Sequence, residues 1–224
     1  MSKKQIDFSN LISMPLDIPS PPDISQVLDS ETEMVSDDYR VSPSIVLMSP
    51  EGRWMPITDK LPEFVDWAEM HLFPWTMRSQ MVVITTPIGK AMAPHIDCAP
   101  DKFNTVQHKF RYVFRGNVTD LRWITSNGYV VNHDTNKPYI ISGRWPHDMV
   151  NTHSETKYTL CLGAPWEANL NNEIYTAMLQ KSYLKYGEDM MSFDDWELPT
   201  NWREFFNQER YGIPHDLIAN FDQT

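Results

Sequence analysis

The centre of the chain alternates between apolar and polar positions. From His108 to Arg115, Phe110, Tyr112 and Phe114 fall on one side, and Lys109, Arg111, Val113 and Arg115 on the other. That is the two-residue period of a strand. Residues 81–85 are apolar and β-branched and predict another strand. Residues 118–125 follow across Gly116-Asn117, which predicts a hairpin with the strand before it. Ser126-Asn127-Gly128 marks a further turn. Residues 129–131 and 139–142 read as short strands around the polar Asn132-His133-Asp134, and residues 156–162 as the last strong strand. Upstream, residues 45–48 and 54–57 also predict short strands. Helical spacing appears over residues 62–72, where Phe64, Trp67, Ala68 and His71 recur. Thr58 or Asp59 is placed to cap this helix, Pro62 suits its first turn and Pro74 ends it. It returns over residues 171–186, with Ile174, Ala177, Met178 and Leu184 available for packing and Gly187 as a stop, and over 201–210, ending near Gly212. Strands in the middle with helices before and after them predict a mainly β fold, a sandwich or barrel buttressed by helices.

This pattern divides the chain into three. Residues 1–40 are rich in Pro, Ser and Asp, as in Asp17-Ile18-Pro19-Ser20-Pro21-Pro22-Asp23, and predict an extended or partly disordered N-terminal arm over a surface. Residues 41–166 form the β core with its packing helix 62–72, and residues 167–224 a C-terminal helical extension. Eight Trp, nine Tyr and ten Phe in 224 residues supply a large aromatic core for one domain.

A net charge of −11, without a basic stripe, argues against nucleic acid as a partner. Two cysteines, Cys98 and Cys161, are too few for a disulfide framework and read as buried thiols. With Met1-Ser2-Lys3-Lys4 leading into a polar stretch, and no apolar run near the roughly 20 residues of a membrane helix, a soluble cytoplasmic protein with no membrane partner is expected. Oligomeric state is left open.

His95-Ile96-Asp97 carries the chemistry. On a strand, residues two apart point the same way, so both side chains face one cavity from a single strand end. One imidazole and one carboxylate need one more imidazole to make the three-ligand face of a non-haem iron, which leaves positions open for substrate and oxygen. Of the seven histidines, His147 and His153 remain as third ligands. His147 is preferred because it leads into the strand carrying Lys157. On its own, a His-X-Asp is more often a hydrogen-bonded pair at a turn than a metal site.

One face of that strand carries Lys157, Thr159 and Cys161. A buried lysine needs an anion. A ligand carboxylate would serve, with the Thr159 hydroxyl adding a second bond; the plain alternative is an internal Asp or Glu. Arg111, on the face with Lys109 and Arg115, is a second carboxylate-binding candidate, or part of an ordinary solvated surface.

With these residues in place, the stretch from Met81 to Trp166 resembles the iron(II)- and 2-oxoglutarate-dependent oxygenases. It looks most like the aspartyl/asparaginyl β-hydroxylase branch, with prolyl-hydroxylase-like enzymes as neighbours. Lys109-Phe110-Arg111-Tyr112-Val113-Phe114 and the run from Ile141 to Asn151 resemble segments of that branch. The resemblance implies a double-stranded β-helix (jelly-roll, cupin-like) core. It implies iron(II) held by His95, Asp97 and His147, with 2-oxoglutarate held by Lys157, Thr159 and Arg111. It also implies O2 as oxidant, with ascorbate as a candidate reductant. The reaction would be hydroxylation of an amino-acid side chain or related small substrate, free or in a peptide, with succinate and CO2 as co-products. The basic residue is Lys157 where β-hydroxylases usually carry arginine and prolyl hydroxylases commonly use lysine. Two alternatives stand beside this reading: a non-catalytic jelly-roll domain binding an acidic small molecule or carbohydrate, and a cupin-like metalloenzyme that does not use 2-oxoglutarate. The partner of Lys157 discriminates between them.

Overall fold

The computed structural model describes residues 6–31, 44–76, 78–104, 108–162, 172–194 and 196–206. In chain order the strands are β1 (Leu11–Pro15), β2 (Ser44–Met48), β3 (Met81–Thr86), β4 (Ala91–His95), β5 (His108–Arg115), β6 (Leu121–Thr125), β7 (Gly128–Val131), β8 (Tyr139–Ser142), β9 (His147–Val150), β10 (Lys157–Leu162) and β11 (Met191–Ser192). The helices are α1 (Ser25–Ser30), α2 (Pro62–His71) and α3 (Glu173–Tyr186).

Strands β3 to β10 pair in a nested way. The β6–β7 hairpin is innermost, and around it β5 pairs with β8, β4 with β9 and β3 with β10, all antiparallel. This long four-arm hairpin is rolled up, so that β10 also lies against β5 and β9 against β6. Two facing sheets result, one in the order β11-β1-β8-β5-β10-β3-β2 and the other β4-β9-β6-β7. Nested pairing closed by these two extra contacts is the jelly roll, or double-stranded β-helix, as the mainly β reading expected.

The larger sheet is covered on both faces, each by a different layer. Its outer face (Met14, Met81, Val83, Phe110, Ile140, Tyr158, Leu160, Leu162) packs under Phe64, Trp67 and Ala68 of α2 and Tyr175, Met178 and Leu179 of α3. Its inner face meets the smaller sheet over a separate cluster built on Trp123, Tyr139, Ile141 and Trp145. The site lies at one end of this second interface.

Several expectations are corrected. No hairpin joins β5 to β6, which belong to different sheets. Gly116 has φ +109 and the chain then makes a 3-10 turn at Val118–Asp120. A side chain at Gly116 would stand 2.7 Å from Lys157 Cγ, so this glycine serves a close approach as well as a turn. The segment expected to lie as an arm over the surface instead supplies β1, a wholly buried strand between β8 and β11. Residues 54–57 make one bridge, Met48 to Trp54, and then enter the 3-10 turn Pro56–Lys60 in place of a strand. That turn displaces the cap of α2 to Leu61, and neither Thr58 nor Asp59 caps it. Within the expected helix 201–210, Trp202–Phe205 is a 3-10 turn, and residues 207–210 with Gly212 and His215 lie outside the described residues.

Candidate metal and anion site

β4 and β9 run antiparallel with His95 directly opposite His147. Pairing at that register sets the two imidazoles side by side, with ring centroids 4.4 Å apart. Asp97 follows immediately, and its backbone N–H donates to the Gly143 carbonyl at 2.7 Å. Gly143 is needed for that approach, since a Cβ there would fall 2.8 Å from the Asp97 Cβ. His95 Nε2 lies 3.7 Å from Asp97 Oδ1, and His147 Nε2 3.5 Å from Asp97 Oδ2. The three side chains are buried, and their ligand atoms all fall within 4.8 Å of one another.

The two imidazoles are oriented by the same device. Nδ1 of His95 lies 2.7 Å from the Ala93 carbonyl oxygen, and Nδ1 of His147 2.7 Å from that of Trp145. A carbonyl can only accept, so each Nδ1 carries the proton and each Nε2 of a neutral ring turns its lone pair toward Asp97. Burial, reinforced by His147, pushes His95 down to about 4, so its ring is neutral at physiological pH. Burial works against ionisation of Asp97, but the charge of Lys109, first among its neighbours, opposes this, and the carboxyl is held well below its usual range. Two imidazole nitrogens and one ionised carboxylate on one face fit iron(II). Atoms bound to one ion at about 2.1 Å stand no more than about 4.2 Å apart; the two histidines approach different oxygens of Asp97, at 3.7 and 3.5 Å, and with one ligand atom from each residue the group lies within 4.8 Å, so binding would draw it slightly together. His153, the other third-ligand candidate, lies elsewhere; its Nδ1 accepts from the Glu155 backbone N–H at 3.2 Å.

Two cations reach the triad from β5. Lys109 Nζ is 2.9 Å from Asp97 Oδ2, and Arg111 Nη2 is 3.7 Å from the same oxygen. The Arg111 side chain also donates to the Phe110 carbonyl at 3.0 Å. Lys109 and Arg111 thus belong to the interior and not to a solvated face. Arg115 parts from them, because the register of β10 against β5 shifts between Tyr158 and Thr159. It lies over the outward-facing Tyr158 and pairs with Asp29 of α1 at 2.6 Å.

Lys157 does not offer its ammonium to the triad. It donates to Asp120 Oδ2 at 2.8 Å and also to the Asn117 carbonyl, and both charged side chains are 1% exposed. Asp120 Oδ1 accepts in turn from the Thr152 hydroxyl at 2.5 Å and more weakly from its N–H at 3.3 Å. The internal-carboxylate arrangement weighed in the sequence is therefore the one adopted. Burial lowers the Lys157 amine from its ordinary value, against the pull of Asp120. Thr159 is buried on the same strand face, and no partner for its Oγ1 occurs among the described residues. Cys98 and Cys161 are buried free thiols, with Cys98 pushed up to about 12 and Cys161 raised, chiefly by burial, which disfavours the nucleophilic thiolate. Sequence reasoning missed Asp120, Gly143 and the inward placement of Lys109. The Lys109-x-Arg111 spacing carried the signal for Lys109, since both point where the inner face of β5 points.

No family model and no curated protein matches the chain. Among solved structures it is similar to a prolyl-4-hydroxylase of Pseudomonas putida (14% identity, TM-score 0.43, covering 69% of this chain and 92% of that one). It is also similar to a prolyl hydroxylase of Trichoplax adhaerens in complex with a hypoxia inducible factor oxygen degradation domain peptide fragment (16% identity, TM-score 0.39, covering 67% and 80%). A third likeness is to an oxidoreductase of the 2OG-Fe(II) oxygenase family from Burkholderia pseudomallei (9% identity, TM-score 0.38, covering 64% and 80%). Among the described residues no helix is long and apolar enough to cross a membrane. The strand order itself, with a His-Asp-His face across the β4–β9 pair, is what makes this a jelly roll with a candidate metal centre.

Proposed function

We propose that this chain is an iron(II)- and 2-oxoglutarate-dependent oxygenase that hydroxylates an amino-acid side chain or related small substrate, free or in a peptide. The observation that carries the reading is the buried face of His95, Asp97 and His147, with both Nδ1 atoms tied to backbone carbonyls. Iron(II) bound there would supply the activation of O2, with decarboxylation of 2-oxoglutarate to succinate and CO2 coupled to oxygen insertion into a substrate C–H bond. The chain's own part is to hold and orient. The Ala93 and Trp145 carbonyls fix the ligand tautomers. Lys109 holds the Asp97 oxygen that it touches. Arg111 stands beside the metal face as the candidate for a ligand carboxylate, and Thr159 on the neighbouring strand carries a hydroxyl with no partner among the described residues. Ascorbate would serve as reductant.

The test of the metal face is an iron(II) titration under nitrogen. Wild type is expected to bind one equivalent, and His147→Ala to lose at least ten-fold in affinity with its fold intact by circular dichroism. Equal affinities would sink the ligand assignment. Succinate formed from 2-oxoglutarate with iron(II) and ascorbate then tests the co-substrate.

A second reading, a cupin-like metalloenzyme that does not use 2-oxoglutarate, is favoured by one observation: the lysine expected to hold the far carboxylate is already paired with Asp120. Metal binding without 2-oxoglutarate turnover or binding would select it.

A further inference from the structure

We infer that the segment Trp202–Phe206 is a positioning strap for the metal face: it fastens the outward side of His95-Ile96-Asp97, with Phe206 as its anchor. This role rests on the reading of His95, Asp97 and His147 as metal ligands, and it falls to residues that touch neither metal nor substrate.

Three observations carry it. The first is how the motif is held. His95 is paired with His147 of β9, and the Asp97 N–H donates to the Gly143 carbonyl at 2.7 Å. Between them, the Ile96 N–H donates to the Phe205 carbonyl at 2.7 Å, and Phe206 bridges Ile96 in the parallel sense. Three consecutive residues are thus tied to three separate parts of the chain, and the middle tie is the strap. The second is burial. Neighbours along an extended chain alternate, so two ligands turning inward send Ile96 outward. β4 is mostly exposed from Ala91 to Pro94, yet Ile96 is 0% exposed. Its cover is a small cluster in which Ile96, Cys98 and Phe206 are buried, with Phe103, Trp202 and Phe205 packed around them. The third is reach. Phe103 caps the 3-10 turn Pro100–Lys102 just after the motif. Its ring centroid lies 4.2 Å from that of Trp202 and 6.0 Å from that of Phe206, and Phe206 meets Trp202 edge-on at 5.6 Å. The strap therefore grips the chain both at the motif and beyond it.

Pairing with β9 alone would hold the motif less firmly. The β4–β9 register is irregular between Met92 and His95, and among the described residues β4 has no strand on its other side. Side chains that share one ion have to be held within about 0.5 Å of their places. With Ile96 seated against Phe206, His95 and Asp97 keep their common inward direction. A strap that only covered apolar surface would shield Cys98 and leave metal affinity untouched, and that difference is measurable.

The strap is tested first without metal. Iodoacetamide labelling of the metal-free protein, followed at Cys98 and Cys161 separately by peptide mass spectrometry, reports opening of the cluster, because Cys98 belongs to it and Cys161 lies on β10 opposite Arg111. Iron(II) titration under nitrogen then reports the ligands. Phe206→Ala is expected to speed labelling of Cys98 about ten-fold with Cys161 unchanged, and to weaken iron(II) binding about ten-fold. Phe206→Leu keeps apolar bulk and should restore most of both. Trp202→Ala, at a less buried position, should move both in the same direction by less. Leu179→Ala, in the cluster on the outer face of the larger sheet, controls for lost stability and should bind iron(II) as wild type does. Unchanged iron(II) affinity in Phe206→Ala and Trp202→Ala, whatever happens at Cys98, overturns the inference and leaves the metal face standing. So does an equal loss of affinity in Leu179→Ala, which makes the effect one of general stability. A wild type that binds no iron(II) overturns the ligand reading itself, and the positioning role with it.

Discussion

Lys157 and Asp120 show how a single partner changes what a residue means. A lysine on a buried strand face has to find an anion, and the sequence offers two kinds, a ligand or an internal acid. The pattern of β10 alone, with Lys157, Thr159 and Cys161 on one face, placed the lysine correctly in the interior. It could not choose the partner, because Asp120 lies 37 residues away in a turn whose course depends on β5 and β6 entering different sheets. The His-Asp-His face was more legible. His95 and Asp97 share a strand end by spacing, and His147 proves to be the cross-strand neighbour of His95. Asymmetry in stability follows from burying a charge pair. Lys157→Met alone leaves the Asp120 carboxylate buried without its cation and should cost roughly 3–5 kcal/mol. D120N/K157M removes both charges and should recover most of that loss. Urea denaturation of the two proteins checks this, and a double variant as unstable as the single one would show that Asp120 does not depend on the lysine.

At the level of elements, strands with strong alternation were readable and those without it were not. β10 keeps its expected faces throughout, and β5 does so up to the irregularity before Arg115. β4 does not, because Ala91–His95 contains a proline and is largely exposed up to His95. Its existence depends on pairing with β9. β1 was hidden by the Pro- and Ser-rich residues around it, yet Leu11, Ile12 and Met14 are among the most buried side chains. In α3 the helix itself was legible from residues 171–186 and Met178 is buried as expected, but Ile174, Ala177 and Leu184 are not. Tyr175, Met178, Leu179 and Ser182 turn inward, whereas Ile174 and Leu184 are 56% and 72% exposed. The spacing i, i+3, i+4, i+7 fits this set better, and Asn172 fixes the start by accepting from the N–H groups of Ile174 and Tyr175. Leu179→Ala should therefore cost about 2–5 kcal/mol through the lost contact and the cavity left behind. Leu184→Ala should fall within about 0.5 kcal/mol of wild type. Chemical denaturation of the pair distinguishes this face from the one expected from sequence, on which Leu184 would be the more costly loss.

For the molecule as a whole, the nesting of the strands was not readable from sequence, since a turn at Gly116-Asn117 reads the same whether it closes a hairpin or carries the chain between sheets. What couples the layers is the packing of α3 on the outer face of the larger sheet, and one polar contact there makes global stability depend on pH. His108, the first residue of β5, is 1% exposed and its Nδ1 lies 2.8 Å from the Tyr175 hydroxyl on α3. Burial, with Arg144 adding to it, pushes the imidazole down to about 3, so the folded protein holds this ring neutral. In the unfolded chain the same ring protonates near its ordinary value of about 6.5. Between those two values the unfolded state binds the extra proton. The stabilisation from a neutral His108 is therefore complete above about 6.5 and is lost as pH falls toward 3, by up to about 1.4 kcal/mol per pH unit. Unfolding free energies of the metal-free protein, measured in urea at pH 7.5, 6.0 and 5.0, should fall with acidification, and less steeply in His108→Gln. Their difference isolates this one residue, whatever the carboxylates and the other histidines contribute, because those are common to both proteins. Parallel slopes for the two would mean that the ring is charged in the fold, in which case the Tyr175 contact and the docking of α3 it supports would have to accommodate an imidazolium.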